Sequence, residues 1–217
     1  KGPVKIIVPF PPGGPTDTVG RLLAQKLQET WGQTVVLDYK PGAGTTIGVD
    51  FVAKAPPDGL TIGMVNSSFS VNPTLRKKLP YDTQKDLAGV TQLFNMQLAI
   101  VARPDAPFNN LKELIEYVKV NKDKVSLANA GLGAVSNLCG LLFKSSIGVN
   151  ITTIPYKGTG PAMNDLLGGQ VDILCDQTTQ TMPMIKDGRL KVFGVTTLKR
   201  LAALPNLPTL DEQGLKG

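Results

Sequence analysis

Histidine is absent from all 217 residues, and that gap removes most of the familiar catalytic and metal chemistry. Ser-His-Asp and Cys-His pairs cannot be assembled, and most zinc sites lose a principal ligand. Cysteine is nearly as scarce: Cys139 and Cys175 stand alone, too far apart for a C-x-x-C motif or a metal cluster. They are either buried free thiols or one disulfide in an oxidising compartment, and the sequence leaves both open. Aromatic residues make up only 6% of the chain, and none interleaves with a basic stripe, so nucleic acid is not an expected partner. Long apolar runs are missing too. The longest are strand-length, such as Val4 to Val8, well short of a bilayer span. Neither G-x-x-x-x-G-K-[ST] nor a strand-to-helix G-x-G-x-x-G occurs, so no nucleotide or other cofactor is expected.

What is present describes a folded, water-facing protein. Hydrophobic residues make up 41% and charged residues 18%, a balance that supports a packed core. The length suffices for one large domain or two smaller lobes. Twenty-three Lys and Arg face 17 Asp and Glu, giving a net charge of +6. This excess is scattered apart from Arg76-Lys77-Lys78 and Lys199-Arg200, which suits attraction of small anions. The chain opens almost directly on its first expected strand, so a targeting peptide is expected to be absent or already removed.

Strand-like and helix-like segments alternate, which predicts an α/β fold with parallel strands. Strands are expected at 4–8, 34–39 and 60–65, with helices at 17–29 and around Ile47, Phe51 and Val52. Thr16 is the expected N-cap of the first helix and Gly32 its stop. A second series places strands at 98–102, 125–129, 151–154, 171–175 and 190–195. Its helices are expected at 111–121, around 138–143, and from Pro161 to Gly168-Gly169. Asn110 and Glu113 have capping-box spacing, as do Thr209 and Glu212. Crossovers near 94–101 and 194–199 would give lobe one residues 1–97 plus 197–217, and lobe two residues 98–196. Two lobes crossed twice by the chain imply a hinged cleft.

Ligands of open α/β sheets bind beyond the carboxyl ends of strands. The loops there read FPPGGPTD, KPGAGTTIG and NSSFS in the first series, and NAGLGAVSN, YKGTGPA and DQTTQ in the second. Small residues let backbone N–H groups approach a ligand, and each loop opens toward a helix N-terminus. No arginine lies in any of the six, so the expected ligand is a carboxylate held by neutral donors, not a clamped phosphate. Catalytic roles find little support. Asp17 and Asp176 are candidate carboxylates, but an Asp in a first helical turn serves the helix dipole and one after a strand serves as a cap. Ser67, Ser68 and Ser136 lack an evident activating base, and Lys157 in its loop reads as a solvated charge.

Several long motifs bear a family resemblance. KIIVPFPPGGPTDTVGRLLAQKL, VVLDYKPGAGTTIGVDFVAKAPPDGLTIGM and VNPTLRKKLPYDTQKDLAGVTQL resemble the extracytoplasmic solute receptors of tripartite tricarboxylate transporters, the Bug receptors. IPYKGTGPAMNDLLGGQVDILCD and VTTLKRLAALPNLPTLDEQG continue the likeness in order. The resemblance implies a two-lobed, type II-like periplasmic binding protein that closes on a small carboxylate and hands it to membrane permease subunits. It implies ligand contacts from Phe10, Pro12, Gly13, Thr16 and Asp17, from Gly42, Ala43, Gly44 and Thr45, and from Ser67 and Ser68. In lobe two it implies Gly133, Ala134, Ser136, Gly158, Thr159 and Asp176.

The chain departs from the family at GLGAVSNL, where Ala134 stands in place of a serine and Asn137 in place of a histidine. Family members also continue beyond PT-x-x-E-x-G, so lobe one is expected to lack its last helices here. The periplasmic assignment favours a Cys139–Cys175 disulfide. Asp176 in an anion-binding cleft would suit an ammonium, which points to an amino acid such as aspartate or glutamate; a cap or water holder is the competing role. A sensor feeding a signalling partner is the runner-up function, with a small-molecule enzyme behind it.

Overall fold

A computed structural model describes residues 2–216. The chain divides into two compact units: residues up to Leu93 with Leu132–Ala134, and Phe94–Gly131 with the chain from Val135 onward. The sequence places residues 197–217 with the first lobe, whereas they group with the second unit.

The first unit is built on a three-stranded parallel sheet in the order β2-β1-β3. Strand β1 (Val4–Val8) pairs with β2 (Val35–Tyr39) and β3 (Thr61–Gly63). Ile6, Ile7 and Val8 are almost wholly buried, as expected of a central strand covered on both faces. Helix α1 (Pro15–Trp31) lays Val19, Leu23, Ala24 and Leu27 on this sheet, and its Gly20 comes so close that a Cβ there would sit 3.3 Å from Met64 Sδ. Its N-cap is Gly14, not Thr16: Pro15 occupies the first turn, where its fixed φ is helical and its missing N–H costs nothing. Gly32 ends the helix in the left-handed region, its N–H on the Gln28 carbonyl, as the sequence indicates. Helices α2 (Thr46–Ala53) and α3 (Ser67–Leu75) follow β2 and β3.

The second unit has five strands ordered β6-β5-β7-β4-β8. Strands β5 (Ser126–Asn129), β6 (Thr152–Pro155) and β7 (Ile173–Gln177) are mutually parallel, but β4 (Leu98–Ala102) runs antiparallel to both β7 and β8 (Lys191–Val195). The all-parallel expectation therefore fails at β4. Alternation along β4 divides the core. Ile100 and Ala102 join Phe108, Leu114, Leu127 and Phe143 on one face; Ala99 and Val101 join Ala162, Met163 and Leu166 on the other. Helices α4 (Leu111–Asn121) and α5 (Val135–Ile147) cover the first face, and α6 (Thr159–Leu167) the second. A further helix, α7 (Thr178–Lys186), follows β7 directly.

Local signals held where they were self-contained. Asn110 Oδ1 accepts from the Glu113 N–H at 2.9 Å, and Glu113 Oε2 accepts from the Asn109 N–H at 2.8 Å. Thr209 and Glu212 close a reciprocal box, the Thr209 N–H donating to Glu212 Oε2 at 2.9 Å and the Glu212 N–H to Thr209 Oγ1 at 3.0 Å, but around a turn with no helix behind it. That turn belongs to the second unit for a clear reason. Val195 bridges to Thr209, Leu210 enters the core beside Phe193, and Gln213 Nε2 donates to the Phe193 carbonyl. Gly194 admits this packing, since a Cβ there would stand 2.8 Å from both Leu210 Cδ2 and Gln213 Nε2.

Cys139 of α5 and Cys175 of β7 form a disulfide with Cα atoms 6.1 Å apart, and no described cysteine is free. Thirty-six residues separate the pair, and constraining that loop in the unfolded chain is worth roughly 3–4 kcal/mol. Chemical denaturation with and without reductant is expected to show a loss of that size on reduction, and the same loss in a Cys139→Ser/Cys175→Ser variant whether or not reductant is present.

Candidate functional site

Parallel strands send every following loop to the carboxyl edge of the sheet, where the next helix begins. In the first unit the loop after β1 is organised by Asp17, which is 5% exposed. Its Oδ2 accepts the Gly13 N–H at 2.8 Å, and its Oδ1 accepts the Tyr39 hydroxyl at 2.5 Å and pairs with Arg21 Nε at 2.8 Å. Burial alone would raise this carboxyl, but the bonds from Tyr39, Gly13 and Arg21 outweigh it and hold the pKa below the ordinary value. Tyr39 is pushed up to about 12, first by burial and then by its bond to the carboxylate. Asp17 therefore spends its lone pairs on fixing Gly13 and on tying the end of β2 to the first loop. Phe10 is half-buried against the sheet core, Thr16 is half-buried, and Pro12 and Gly13 face solvent.

The loop after β2 is conformationally unusual. Gly42, Ala43, Gly44 and Thr45 all have positive φ, at 126°, 46°, 59° and 77°. A β-branched threonine in that region is strained, and something must hold it. The holder is Asn72 of α3, a wholly buried side chain. Its Nδ2 donates to the Gly44 carbonyl at 2.9 Å and to Thr45 Oγ1 at 3.3 Å. Asn72 also accepts from Arg76 Nε at 3.3 Å. At the start of α3, Asn66 Oδ1 caps the Ser68 N–H, Ser68 Oγ donates to the Gly133 carbonyl at 3.0 Å, and the Ser67 hydroxyl is buried without a partner. Gly133 and Ala134, expected from lobe two, group with this first unit.

In the second unit the carboxyl ends of the adjacent strands β5 and β7 carry a concentration of buried polar groups. Asn129 Oδ1 accepts the Gly131 N–H at 2.8 Å, and Ser136 Oγ accepts the Ala130 N–H at 2.9 Å, which together shape the loop into α5. Asn129 Nδ2, Gln177 Oε1 and both carboxyl oxygens of Asp176 are buried with no hydrogen-bond partner. The pleat places Asp176 on the same face as Leu174, toward α6. Helix α6 begins at Thr159 after Gly158, whose φ of 151° favours glycine, so the helix opens two residues before Pro161. The Thr159 hydroxyl donates to Gln180 Oε1 at 3.0 Å instead of to Asp176. Burial drives the Asp176 pKa up to about 7, with the nearby Gln177 N–H and Thr159 hydroxyl pulling it partly back. Asp176 is not a helix cap: α7 is capped by Gln177, with no side-chain bond.

The sequence missed Tyr39, Asn72, Arg76, Asn129 and Gln177. Asn72 was hidden by its context, because N-P reads as a turn and yet Pro73 lies inside α3. Among the described residues no three metal-ligating side chains cluster, and no helix is long and apolar enough to cross a membrane. Asp17→Asn is expected to weaken the charge-assisted bond from Tyr39 and lower that phenol's titration midpoint from about 12 toward the ordinary tyrosine value. Ultraviolet pH titration of the variant against the parent reads the shift.

The family described as "Tripartite tricarboxylate transporter family receptor" matches residues 19–217. A curated relative, the UPF0065 protein in the TAR-I ttuE-ttuC' intergenic region of Agrobacterium vitis, is 42% identical over 214 residues, which are 99% of this chain and 62% of that protein. The chain thus spans less than two thirds of that relative. Among solved structures, the periplasmic binding protein BugD is 52% identical with a TM-score of 0.96, over 100% of this chain and 73% of BugD. MatC from Rhodopseudomonas palustris with bound malate is 37% identical with a TM-score of 0.91, over 98% of this chain and 72% of MatC. A family match running through both units, with two solved relatives sharing their folds, places the chain in the receptor family of the tripartite tricarboxylate transporters.

Proposed function

We propose that the chain is the solute-capturing part of a periplasmic receptor, which holds a small organic acid without transforming it and presents it to membrane permease subunits. The observation that carries this reading is the set of buried, unpartnered polar groups at the carboxyl ends of β5 and β7: Asn129 Nδ2, both Asp176 oxygens and Gln177 Oε1. Leaving such groups unpaired costs about 1–3 kcal/mol each, and a ligand or its water recovers that cost. Their position is where α/β sheets take ligands. The malate held by MatC supports a small carboxylate as the ligand class. In the same unit the Ser136 hydroxyl and the backbone at Gly158 and Thr159 add donors on the strand-to-helix loops; the first unit, taken by itself, offers the 42–45 backbone and the Ser67 hydroxyl on its own loops.

The surroundings of these groups support a non-catalytic role. No described serine has a basic partner of the kind that activates a nucleophile, and Asp17 is saturated by its own loop. Native mass spectrometry of freshly purified protein tests the reading. A co-purified or added organic acid recovered unchanged supports it; turnover, or no binding and no thermal shift across a panel of carboxylates, rejects it.

Asp176 favours a second, finer reading, in which the acid is an α-amino acid whose ammonium meets this carboxylate. An unpaired carboxyl in an anion-binding loop cluster disfavours a plain dicarboxylate when ionised and favours a cationic group. The pH dependence separates the two. Because the folded pKa is raised, the ligand-free protein has its full share of stability from this group below about pH 4, and loses it as pH climbs to about 7. The loss amounts to about 4 kcal/mol. Asp176→Asn is expected to flatten that slope in thermal denaturation. Amino-acid affinity is expected to rise as pH approaches about 7, whereas dicarboxylate affinity falls over the same interval. Calorimetric titration of aspartate and of succinate from about pH 5 to about pH 8 measures both trends. Aspartate affinity that does not rise with pH rejects the ammonium pairing.

A further inference from the structure

Strand β7 is held unevenly on its two sides. On one side β4 pairs with it along its whole length, from Ala102↔Ile173 to Leu98↔Gln177. On the other, β5 pairs with it only at Leu127↔Ile173 and Ala128↔Leu174. Asn129 and Cys175 would form the next rung, and the ladder ends before it. The unpartnered groups of Asn129, Asp176 and Gln177 all lie at or just beyond that point. Helix α5 crosses from one strand end to the other there. It is fixed to the end of β5, since Ser136 Oγ accepts the Ala130 N–H at 2.9 Å and a Cβ on Gly140 would stand 2.8 Å from Leu127 Cδ2. Between these two contacts Cys139 is bonded to Cys175 of β7. The bridge lies on the sheet face of Leu127 and Ile173. The pleat puts Asn129 and Gln177 on that same face and Asp176 on the other.

Constraining the unfolded chain requires two cysteines at this separation, not at this place. The place has its own consequence: a covalent link stands where backbone pairing between β5 and β7 gives out. We propose that Cys139 and Cys175 are positioning residues for the ligand, their disulfide fixing the spacing between the ends of β5 and β7 and so the affinity of the polar groups there for the bound acid. This rests on the receptor function proposed above and concerns the second unit alone. Both cysteines are buried, so the bridge acts through the backbone it fixes and not by touching the acid. The state of the bridge and the occupancy of the site are then linked, and the link is reciprocal: an acid that binds the oxidised form better also makes that form harder to reduce. Dithiothreitol reads this directly, reducing the bridge to two thiols while its own two thiols close into a ring disulfide.

The test is calorimetric titration of the full chain with the tightest-binding acid of a panel that includes malate, succinate and aspartate. Cys139→Ser/Cys175→Ser and Cys139→Ala/Cys175→Ala are expected to bind it roughly tenfold or more weakly than the oxidised parent, the size of an ordinary coupling between sites. Dithiothreitol is expected to weaken the parent by the same factor, reoxidation to restore it, and neither treatment to move the variants. Saturating acid is expected to shift the dithiothreitol equilibrium of the folded parent toward the disulfide by that factor as well. Leu114→Ala on α4 lowers stability but leaves the bridge in place, and it is expected to stay within about twofold of parent affinity. Double variants within about twofold of the oxidised parent overturn the proposal. An equal loss in Leu114→Ala overturns it too, because the effect is then one of general stability. Double variants that both fail to fold make the bridge a requirement of folding and overturn it as well. A parent that binds no acid of the panel rejects the receptor function itself, a distinct outcome.

Discussion

Parallel pairing is the constraint on which the molecule depends. β1 runs alongside β2 and β3, and β5 alongside β6 and β7, so each strand delivers the chain to the same edge of its sheet. Each crossover must then return through a helix that starts at that edge. Helix N-termini, glycine loops and small hydroxyls gather there as a by-product of topology, before any requirement of function is considered. Strand β4 alone is reversed and delivers the chain to the opposite edge, whereas β8, antiparallel to β4, runs in the direction of β5, β6 and β7. They supply hydrophobic mass, and β8 anchors the turn around Thr209.

At the strand ends the two units spend their polar groups differently. The first unit commits Asp17 to its own loop, Asn72 to a strained one and Ser68 to the Gly133 carbonyl, and leaves the hydroxyls of Thr46, Ser67 and Tyr81 buried without partners. Its loops are held in shape by side chains of the same unit. The second unit leaves an amide nitrogen, an amide oxygen and a whole carboxyl without partners. Local energetics would eliminate such groups unless another requirement retained them.

Much of this was legible in the sequence, and the limits have physical causes. Helix α4 was found with its bounds and cap because Leu111, Leu114 and Val118 recur on one face and the Asn110–Glu113 box is entirely local. The alternation of strands and glycine loops marked the candidate edge for the same reason. Helix α3 was missed because a serine-rich start and an internal proline conceal it. The direction of β4 and the packing of residues 197–216 depend on partners far away in the chain, and no periodicity records them. Asn72 escaped because its role arises from reaching a loop some thirty positions earlier in the chain. The disulfide was accessible only through the family likeness, since two isolated cysteines carry no pairing code.

That disulfide has a topological effect beyond its entropy. The covalent ring it closes contains β6, the Tyr156–Thr159 turn, α6 and most of β7. The β5–β7 pairing links segments more than forty residues apart, but with the bridge in place β7 is tethered to the helix that directly follows β5. A distant strand contact thereby becomes a near one, and the ends of the ring are held against each other whatever happens within it. A single backbone cut between the two cysteines would leave one covalent molecule, its severed loop still seated beside Asp176, until a reductant let the pieces part.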